Sequence, residues 1–130
     1  YPDFHELFKD FPTEIVVGHF GYFRPGCQRE NPGFQGMLEL ATSGKCWIKL
    51  TGPYRISAEE FPYADVDQFA QMLVDKAPHR LLWGTDWPHV MMKKTMPDDG
   101  HLADTLARYV SDEQLRHQIL VDNPKQLYQF

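Results

Sequence analysis

Three short apolar runs, separated by segments of helical periodicity, most constrain how this chain can fold. The runs occupy residues 14–21 (EIVVGHFG), 46–50 (CWIKL) and 80–83 (RLLW). Their apolar residues are continuous rather than alternating, which is typical of strands covered on both faces, as in a parallel sheet. Strands that alternate with helices form βαβ units. The sequence therefore predicts an α/β fold with three parallel strands.

Amphipathic patterns predict helices before, between and after these strands. The predicted helices span residues 3–11, 34–42, 65–76, 101–110 and 113–120, and a last helical turn begins at Asn123-Pro124. Apolar residues recur in them at spacings of three and four, as on one buried helical face. Asp3, Asp112 and Asn123 are candidate helix caps. Residues 22–33 and 90–100 are predicted loops, and the first is long enough to suggest a role at a site.

Each predicted strand ends at a small-residue breaker, and a polar side chain follows it. These side chains are the imidazole of His19, the guanidinium of Arg55 and the carboxylate of Asp86. Because ligands bind at the carboxyl edge of a parallel sheet, we expect the three to converge on one site. A simpler interpretation stays open for each of them: a hydrogen-bonded core histidine, a surface salt bridge and a turn cap.

The composition is that of an ordinary globular domain and disfavours several function classes. The chain has 130 residues, of which 42% are hydrophobic, enough for one domain with a core. Its 18 acidic and 13 basic residues give a net charge of −5 without a basic cluster, so no nucleic-acid partner is expected. No apolar stretch approaches the roughly 18 residues of a membrane span. The sequence also lacks a Gly-rich phosphate loop and a GxSxG elbow.

The two cysteines point to a reduced compartment. Cys27 and Cys46 lie in no CxxC motif and lack metal-ligand spacing, and no secretory segment opens the sequence. Because disulfide-rich patterns mark oxidising compartments, their absence favours a cytoplasmic protein.

Three strands are too few to close a barrel, and this bears on the extent of the chain. A parallel α/β barrel takes about eight strands. The exposed sheet edges would therefore need cover from self-association or from pairing with a missing N-terminal half. The sequence begins at Tyr1, without Met, directly before an amphipathic pattern. We therefore expect residues 1–130 to be the C-terminal portion of a longer protein.

Several motifs resemble those of one enzyme family. WGTDWPH at residues 83–89 is similar to the signature at the eighth strand of the amidohydrolase-related (β/α)8 barrels. VVGHFG at 16–21 resembles their sixth strand, and NPKQLYQF at 123–130 resembles their last helix. KLTGPYRIS and MPDDGHLAD most resemble the 2-pyrone-4,6-dicarboxylate lactonase branch. The resemblance implies that residues 1–130 form the C-terminal part of a TIM barrel, with its last three strands.

The resemblance also implies a role for each candidate residue. Asp86 corresponds to the general base that activates water, and His19 to the histidine that polarises the substrate carbonyl. Arg55 corresponds to an arginine that grips a substrate carboxylate, and His89 to a substrate-contacting polar residue. The implied activity is hydrolysis of a carboxylate-bearing cyclic ester, a small anionic substrate, without a metal cofactor. The His-x-His pair of the family's first strand has no counterpart in this sequence.

Two alternatives stay open. In the first, the protein is a metal-dependent hydrolase or decarboxylase of the same barrel family, and His19 and Asp86 bind a divalent metal such as zinc together with further histidines from the missing strands. In the second, the chain is a catalytically silent fragment that folds by self-association. Arg24 could contact an anion, although its segment HFGYFRPG departs from the shorter form that the family has.

Overall fold

A three-stranded parallel sheet organises the fold. The computed structural model describes residues 3–27 and 30–130. The strands are β1 (Ile15–Val17), β2 (Cys46–Leu50) and β3 (Leu81–Trp83). Strand β2 lies between the other two, and both pairings are parallel, with Ile15 opposite Cys46 and Ile48 opposite Leu81. The three predicted strands are confirmed, and the outer two are shorter than the apolar runs that predicted them.

Helices connect the strands and follow the last of them. They are α1 (Phe4–Phe8), α2 (Pro32–Thr42), α3 (Asp67–Lys76), α4 (Asp99–Tyr109), α5 (Glu113–His117) and α6 (Asn123–Tyr128). Short 3₁₀ turns occupy His19–Tyr22, Pro53–Arg55, Ala64–Val66 and Pro78–Arg80. A π-helical turn, Gln118–Asp122, joins α5 to α6. This order of strands and helices is the predicted βαβ order.

The two faces of the sheet have different surroundings. Ile48 and Leu81 project into the main hydrophobic core, together with the buried side chains of Phe34 from α2 and Phe69 from α3. Val16 alternates to the opposite face and is 42% exposed. The prediction that both faces are covered is therefore wrong for β1 in the described structure. The crossover helices share one side because βαβ connections have a constant hand.

Helix α1 is shorter than predicted and buries less of its apolar face. It ends at Phe8 rather than at residue 11, and Asp3 makes no side-chain capping hydrogen bond. Phe4 is buried, whereas Leu7 and Phe11 are 60% and 45% exposed. With five residues, α1 offers little more than one turn of contact, so the four-residue apolar face predicted from the spacing does not form.

Side-chain caps explain where α2, α4 and α5 begin. Helix α2 starts two residues before the predicted position because the side chain of Asn31 accepts a hydrogen bond from the N–H of Phe34, at 3.1 Å. Helix α4 likewise starts at Asp99, since Asp98 accepts from the N–H of His101 at 3.1 Å. Asp112 accepts from the N–H of Leu115 at 2.8 Å, so the predicted cap of α5 is confirmed.

The C-terminal helices correct the prediction for Asn123. Instead of capping a separate last turn, Asn123 continues the helix after the π-helical turn and is 2% exposed. Its Nδ2 donates to the carbonyl oxygens of Pro78 and Leu81 at 2.9 and 2.8 Å. The side chain therefore ties the last helix to the start of β3, a tertiary role that overrides the local capping pattern.

Candidate active site

The polar side chains that follow the three strands lie together at the carboxyl edge of the sheet. Nε of Arg55 donates to Oδ2 of Asp86 at 2.7 Å. Nε2 of His19 lies 3.7 Å from Oδ1 of the same carboxylate. The structure thus brings together the imidazole, the guanidinium and the carboxylate that the sequence indicated. The parallel sheet causes this convergence, because its strands all end at the same edge.

Sharp left-handed turns place these side chains. His19 has φ +53° and Asp86 has φ +68°, values that cost a residue other than glycine about 1–2 kcal/mol each. The N–H of His19 donates to Oγ1 of Thr51 at 3.3 Å, which helps to hold the first turn. Gly52, at φ +57°, allows the close approach: a Cβ there would lie 3.0 Å from Nδ1 of His19. Such strained backbone is concentrated at functional sites.

The two oxygens of Asp86 have different surroundings. Oδ2 accepts hydrogen bonds from Tyr54 Oη at 2.6 Å and from Arg55 Nε at 2.7 Å. Burial alone raises the pKa of Asp86, but the hydrogen bonds from Tyr54 and Arg55 and the nearby positive charge outweigh it, so the net pKa is lowered. The carboxylate is therefore ionised at neutral pH. Oδ1, with His19 beyond hydrogen-bond distance, has room to accept from a water molecule.

His19 is held as a neutral imidazole beside this carboxylate. Burial lowers its pKa; the charge of Asp86 opposes the shift, and that of Arg55 adds to it. Nδ1 lies 2.9 Å from Oγ1 of Thr51. Because that oxygen already accepts from the His19 N–H, its own proton can be donated to Nδ1. In the tautomer that accepts this proton at Nδ1, the single ring proton is on Nε2, the nitrogen that faces Asp86, where it can be donated to a carbonyl oxygen.

The side chain of His89 is separated from the carboxylate of Asp86 by the hydroxyl of Tyr54. The His89 side chain is 4% exposed, with Nδ1 2.9 Å from Tyr54 Oη and Nε2 2.9 Å from Oδ1 of Asp99. Its side chain reaches the carboxylate of Asp86 only through the Tyr54 hydroxyl, and the substrate contact implied by the resemblance stays a prediction. The sequence did not identify Tyr54, Thr51 or Asp99 as residues of the site. The position of Tyr54 directly before Arg55 was a weak signal that Tyr54 belongs to it.

Two cavities flank the Arg55–Asp86 pair. The inner cavity, about 440 Å³, is lined by His19, Lys49 and Asp86 among others, and also by Pro124 and Tyr128 of α6. The outer cavity, about 430 Å³, is lined by side chains of the three loops: Tyr22, Tyr54, Arg55, Ser57, Met91, Met92, Lys93 and Lys94. Either volume suits a small organic ligand. Arg24 is exposed and contributes to neither lining.

A metal site is not complete in the part of the chain that the structure describes. His19 and Asp86 are the two ligands of the metal alternative, and no group of three or more His, Cys, Asp or Glu side chains lies close enough together among residues 3–27 and 30–130. A catalytic zinc takes three protein ligands. In addition, Oδ2 of Asp86 already bonds a guanidinium cation. A metal ion at His19 and Asp86 would therefore need at least one further ligand from outside the described residues, and the metal alternative stays a prediction.

Two further findings concern membrane-spanning helices and the cysteines. Over the described residues, none of the helices combines the length and the apolar character that crossing a bilayer requires. Cys27 and Cys46 are both free thiols in the described structure.

Three curated proteins are similar to the chain, and all three names refer to lactones or pyrones. It is 46% identical over 125 residues to a 4-sulfomuconolactone hydrolase of Rhizobium radiobacter, covering 95% of the chain and 42% of that protein. It is 38% identical over 115 residues to a D-galactarolactone isomerase of Agrobacterium fabrum, covering 87% and 39%. A 2-pyrone-4,6-dicarboxylate hydrolase of Comamonas testosteroni is 36% identical over 138 residues, covering 98% and 45%. The chain spans less than half the length of each relative.

A solved structure and a family profile agree with these relatives. The crystal structure of an apo protein from Agrobacterium tumefaciens matches with a TM-score of 0.85 and 34% identity, covering 98% of the chain and 46% of that protein. The sequence model of a family described as amidohydrolase matches residues 1–130. Together with the observed sheet, the overlay on about half of a larger protein confirms the predicted fold class, part of a (β/α)8 barrel.

Proposed function

We propose that this chain, which belongs to the amidohydrolase family, is the C-terminal part of a hydrolase that opens a carboxylate-bearing lactone. The observation that carries the proposal is the Asp86 carboxylate, held at Oδ2 by Tyr54 and Arg55 while Oδ1 faces the neutral imidazole of His19. The lactone hydrolases at 46% and 36% identity support the bond that is broken and the class of substrate.

In this proposal Asp86 makes both proton transfers that ester hydrolysis needs, and His19 stabilises the carbonyl oxygen. Oδ1 of Asp86 takes a proton from water, and the water oxygen bonds to the lactone carbonyl carbon. Nε2–H of His19 donates a hydrogen bond to the carbonyl oxygen as negative charge develops on it. The ring C–O bond then breaks, and the proton on Asp86 passes to the departing alkoxide, which returns the carboxylate to its ionised state. A well-placed general base contributes about 10²- to 10⁴-fold to such a reaction.

The cations around the outer cavity favour an anionic substrate. Arg55 uses Nε for Asp86 and Nη2 for the carbonyl oxygen of Val90, at 2.7 and 3.0 Å, so Nη1 remains for a ligand carboxylate. Nζ of Lys94 is anchored on the carbonyl oxygens of Ser57 and Glu59 at 2.6 and 2.7 Å, which adds a fixed positive charge. In this proposal the protein's own cations orient the substrate, and no metal cofactor is required.

The exposed face of the sheet must be covered from outside this chain. The face of the sheet that exposes Val16 is covered by the remaining strands of the barrel, or by a second copy when the chain is isolated. In isolation the chain is then catalytically silent, because the other wall of the inner cavity is lacking. The two free thiols support a cytoplasmic location.

Replacement of Arg55 by Gln tests the substrate class. In the whole protein that contains this chain, we expect KM for a lactone dicarboxylate to rise roughly ten- to a hundredfold, because a charge-assisted hydrogen bond to the substrate is lost. An analogue without the carboxylate should show a much smaller change in KM, which steady-state kinetics on both lactones would measure.

The matched control is Lys76→Gln, which removes one positive charge from the exposed end of α3. It should leave both KM values unchanged. If Arg55→Gln weakened both lactones equally, Arg55 would serve only to hold Asp86, and the proposal of an anionic substrate would lose its support.

A further inference from the structure

A row of hydrogen bonds runs from the carboxylate of Asp86 to the protein surface. Oη of Tyr54 lies 2.6 Å from Oδ2 of Asp86 and 2.9 Å from Nδ1 of His89. Nε2 of His89 lies 2.9 Å from Oδ1 of Asp99. Tyr54 and His89 are buried, whereas the side chain of Asp99 is 45% exposed. Two buried side chains thus join the proposed base to an exposed carboxylate.

A neutral His89 would leave this row one proton short. Each hydrogen bond needs one proton, and an ionised carboxylate can only accept. Tyr54 brings one proton and a neutral imidazole brings another, so two protons would have to serve three contacts. With a third proton on the ring, Nε2–H donates to Asp99, Nδ1–H donates to Tyr54, and the Tyr54 hydroxyl donates to Asp86. Every contact in the row is then a hydrogen bond.

The carboxylates at the two ends are poor places for the third proton. Asp86 accepts from Arg55 as well as from Tyr54, and these bonds lower its pKa in spite of its burial. Asp99 is half-exposed in the first turn of α4, where the helix dipole favours an ionised carboxylate. The imidazole of His89 is the base that remains between them.

Few other groups face His89. Tyr54 approaches from the turn after β2 with its ring edge-on, 5.7 Å between the ring centroids, and Asp99 approaches from α4. On its own loop, the N–H of His89 donates to the carbonyl oxygen of Asp86 at 2.8 Å. Arg55 is the cation on this side, and it is bonded to Asp86 and to the carbonyl oxygen of Val90. The two carboxylates outnumber this cation, which favours a second positive charge.

We propose that His89 is an imidazolium held between Tyr54 and Asp99, and that it acts through Tyr54 as a positioning residue for Asp86. With Nδ1–H donating to Tyr54, the hydroxyl proton is committed to Oδ2 of Asp86. Oδ2 is then occupied by two donors, and Oδ1 is the oxygen left to take the proton from water. The positioning role rests on the proposed function of Asp86, whereas the charge of His89 does not.

The charge of His89 can be read directly from the protonation of its ring nitrogens. In the isotope-labelled whole protein at neutral pH, nuclear magnetic resonance should show a proton on both Nδ1 and Nε2. Asp99→Asn should leave only one, since the anion that stabilises the imidazolium is gone. Asp98→Asn is the matched control: it removes one charge from the same turn, and its side chain can still accept from the N–H of His101. Both protons should stay in that variant.

A His89 with a single ring proton in the unmodified protein would overturn the charge assignment, whether or not the protein hydrolyses lactones. The positioning role has its own readout. Asp99→Asn should lower kcat roughly ten- to a hundredfold with KM nearly unchanged, the effect of one weakened hydrogen bond to a charged group. Asp98→Asn should keep the original kcat. An unchanged kcat in Asp99→Asn would remove the positioning role.

Discussion

Asp86→Asn is expected to lower kcat by about 10²- to 10⁴-fold while substrate affinity is largely retained. The amide oxygen can take the place of Oδ2 and accept from Tyr54 and Arg55, so the site keeps its shape. The amide nitrogen then stands where Oδ1 stood, and it cannot accept a proton from water. Steady-state hydrolysis and equilibrium binding of the same lactone by the whole protein would separate the two effects.

Asp75→Asn controls for the loss of one carboxylate elsewhere in the chain. Asp75 is exposed on α3 and lies outside both cavities next to Asp86, so its variant should turn over substrate at the original rate. Unchanged turnover in Asp86→Asn would remove Asp86 as the general base and with it the proposed mechanism.

Phe20→Ala is expected to lower the free energy of unfolding by about 3–5 kcal/mol, the usual loss for a fully buried phenylalanine. The ring is completely buried; it stacks on Phe69 at 5.8 Å between centroids and meets Tyr109 edge-on at 6.3 Å. Phe20 directly follows His19 in the left-handed turn. Its anchoring therefore also fixes the direction of the imidazole, and kcat should fall in parallel. Denaturant unfolding and kinetics well below the melting temperature would measure the two losses.

Phe69→Ala separates the stability effect from the positioning effect. Phe69 is equally buried in the same aromatic cluster and packs on Phe20, but it belongs to α3 and not to the turn that carries His19. It should lose comparable stability while kcat, measured on folded protein, changes much less. If both variants lost activity equally, the cluster would support the fold without orienting His19.

The sequence predicted most reliably what depends on local pattern and on the parallel sheet. Continuous apolar runs placed the strands within a few residues, and the rule that parallel strands end at one edge brought His19, Arg55 and Asp86 together. Tyr54 and Thr51 were not predicted as site residues because their hydrogen-bond partners lie 32 or more residues away in the chain. Contacts of that kind leave no periodicity to detect.

The local sequence did not indicate where the side chains of His89 and Asn123 point. His89 stands three residues after Asp86, yet its φ of +56° turns the side chain toward Asp99 and away from the cavities. Asn123 followed by Pro has the pattern of a helix start, but tertiary hydrogen bonds to Pro78 and Leu81 place it within a continuing helix. In both cases the folded environment decided between conformations that the local sequence allowed equally.

A single turnover of the whole protein in water labelled with a heavy oxygen isotope tests the central claim most directly. If Asp86 activates water, the new carboxylate of the opened product carries the label, and the Asp86 side chain, examined in a proteolytic peptide, carries none. Label in Asp86 would mean that the carboxylate itself attacks the carbonyl carbon. Absence of label from both the product and Asp86 would mean that the ring is rearranged rather than hydrolysed, and either result would contradict the mechanism.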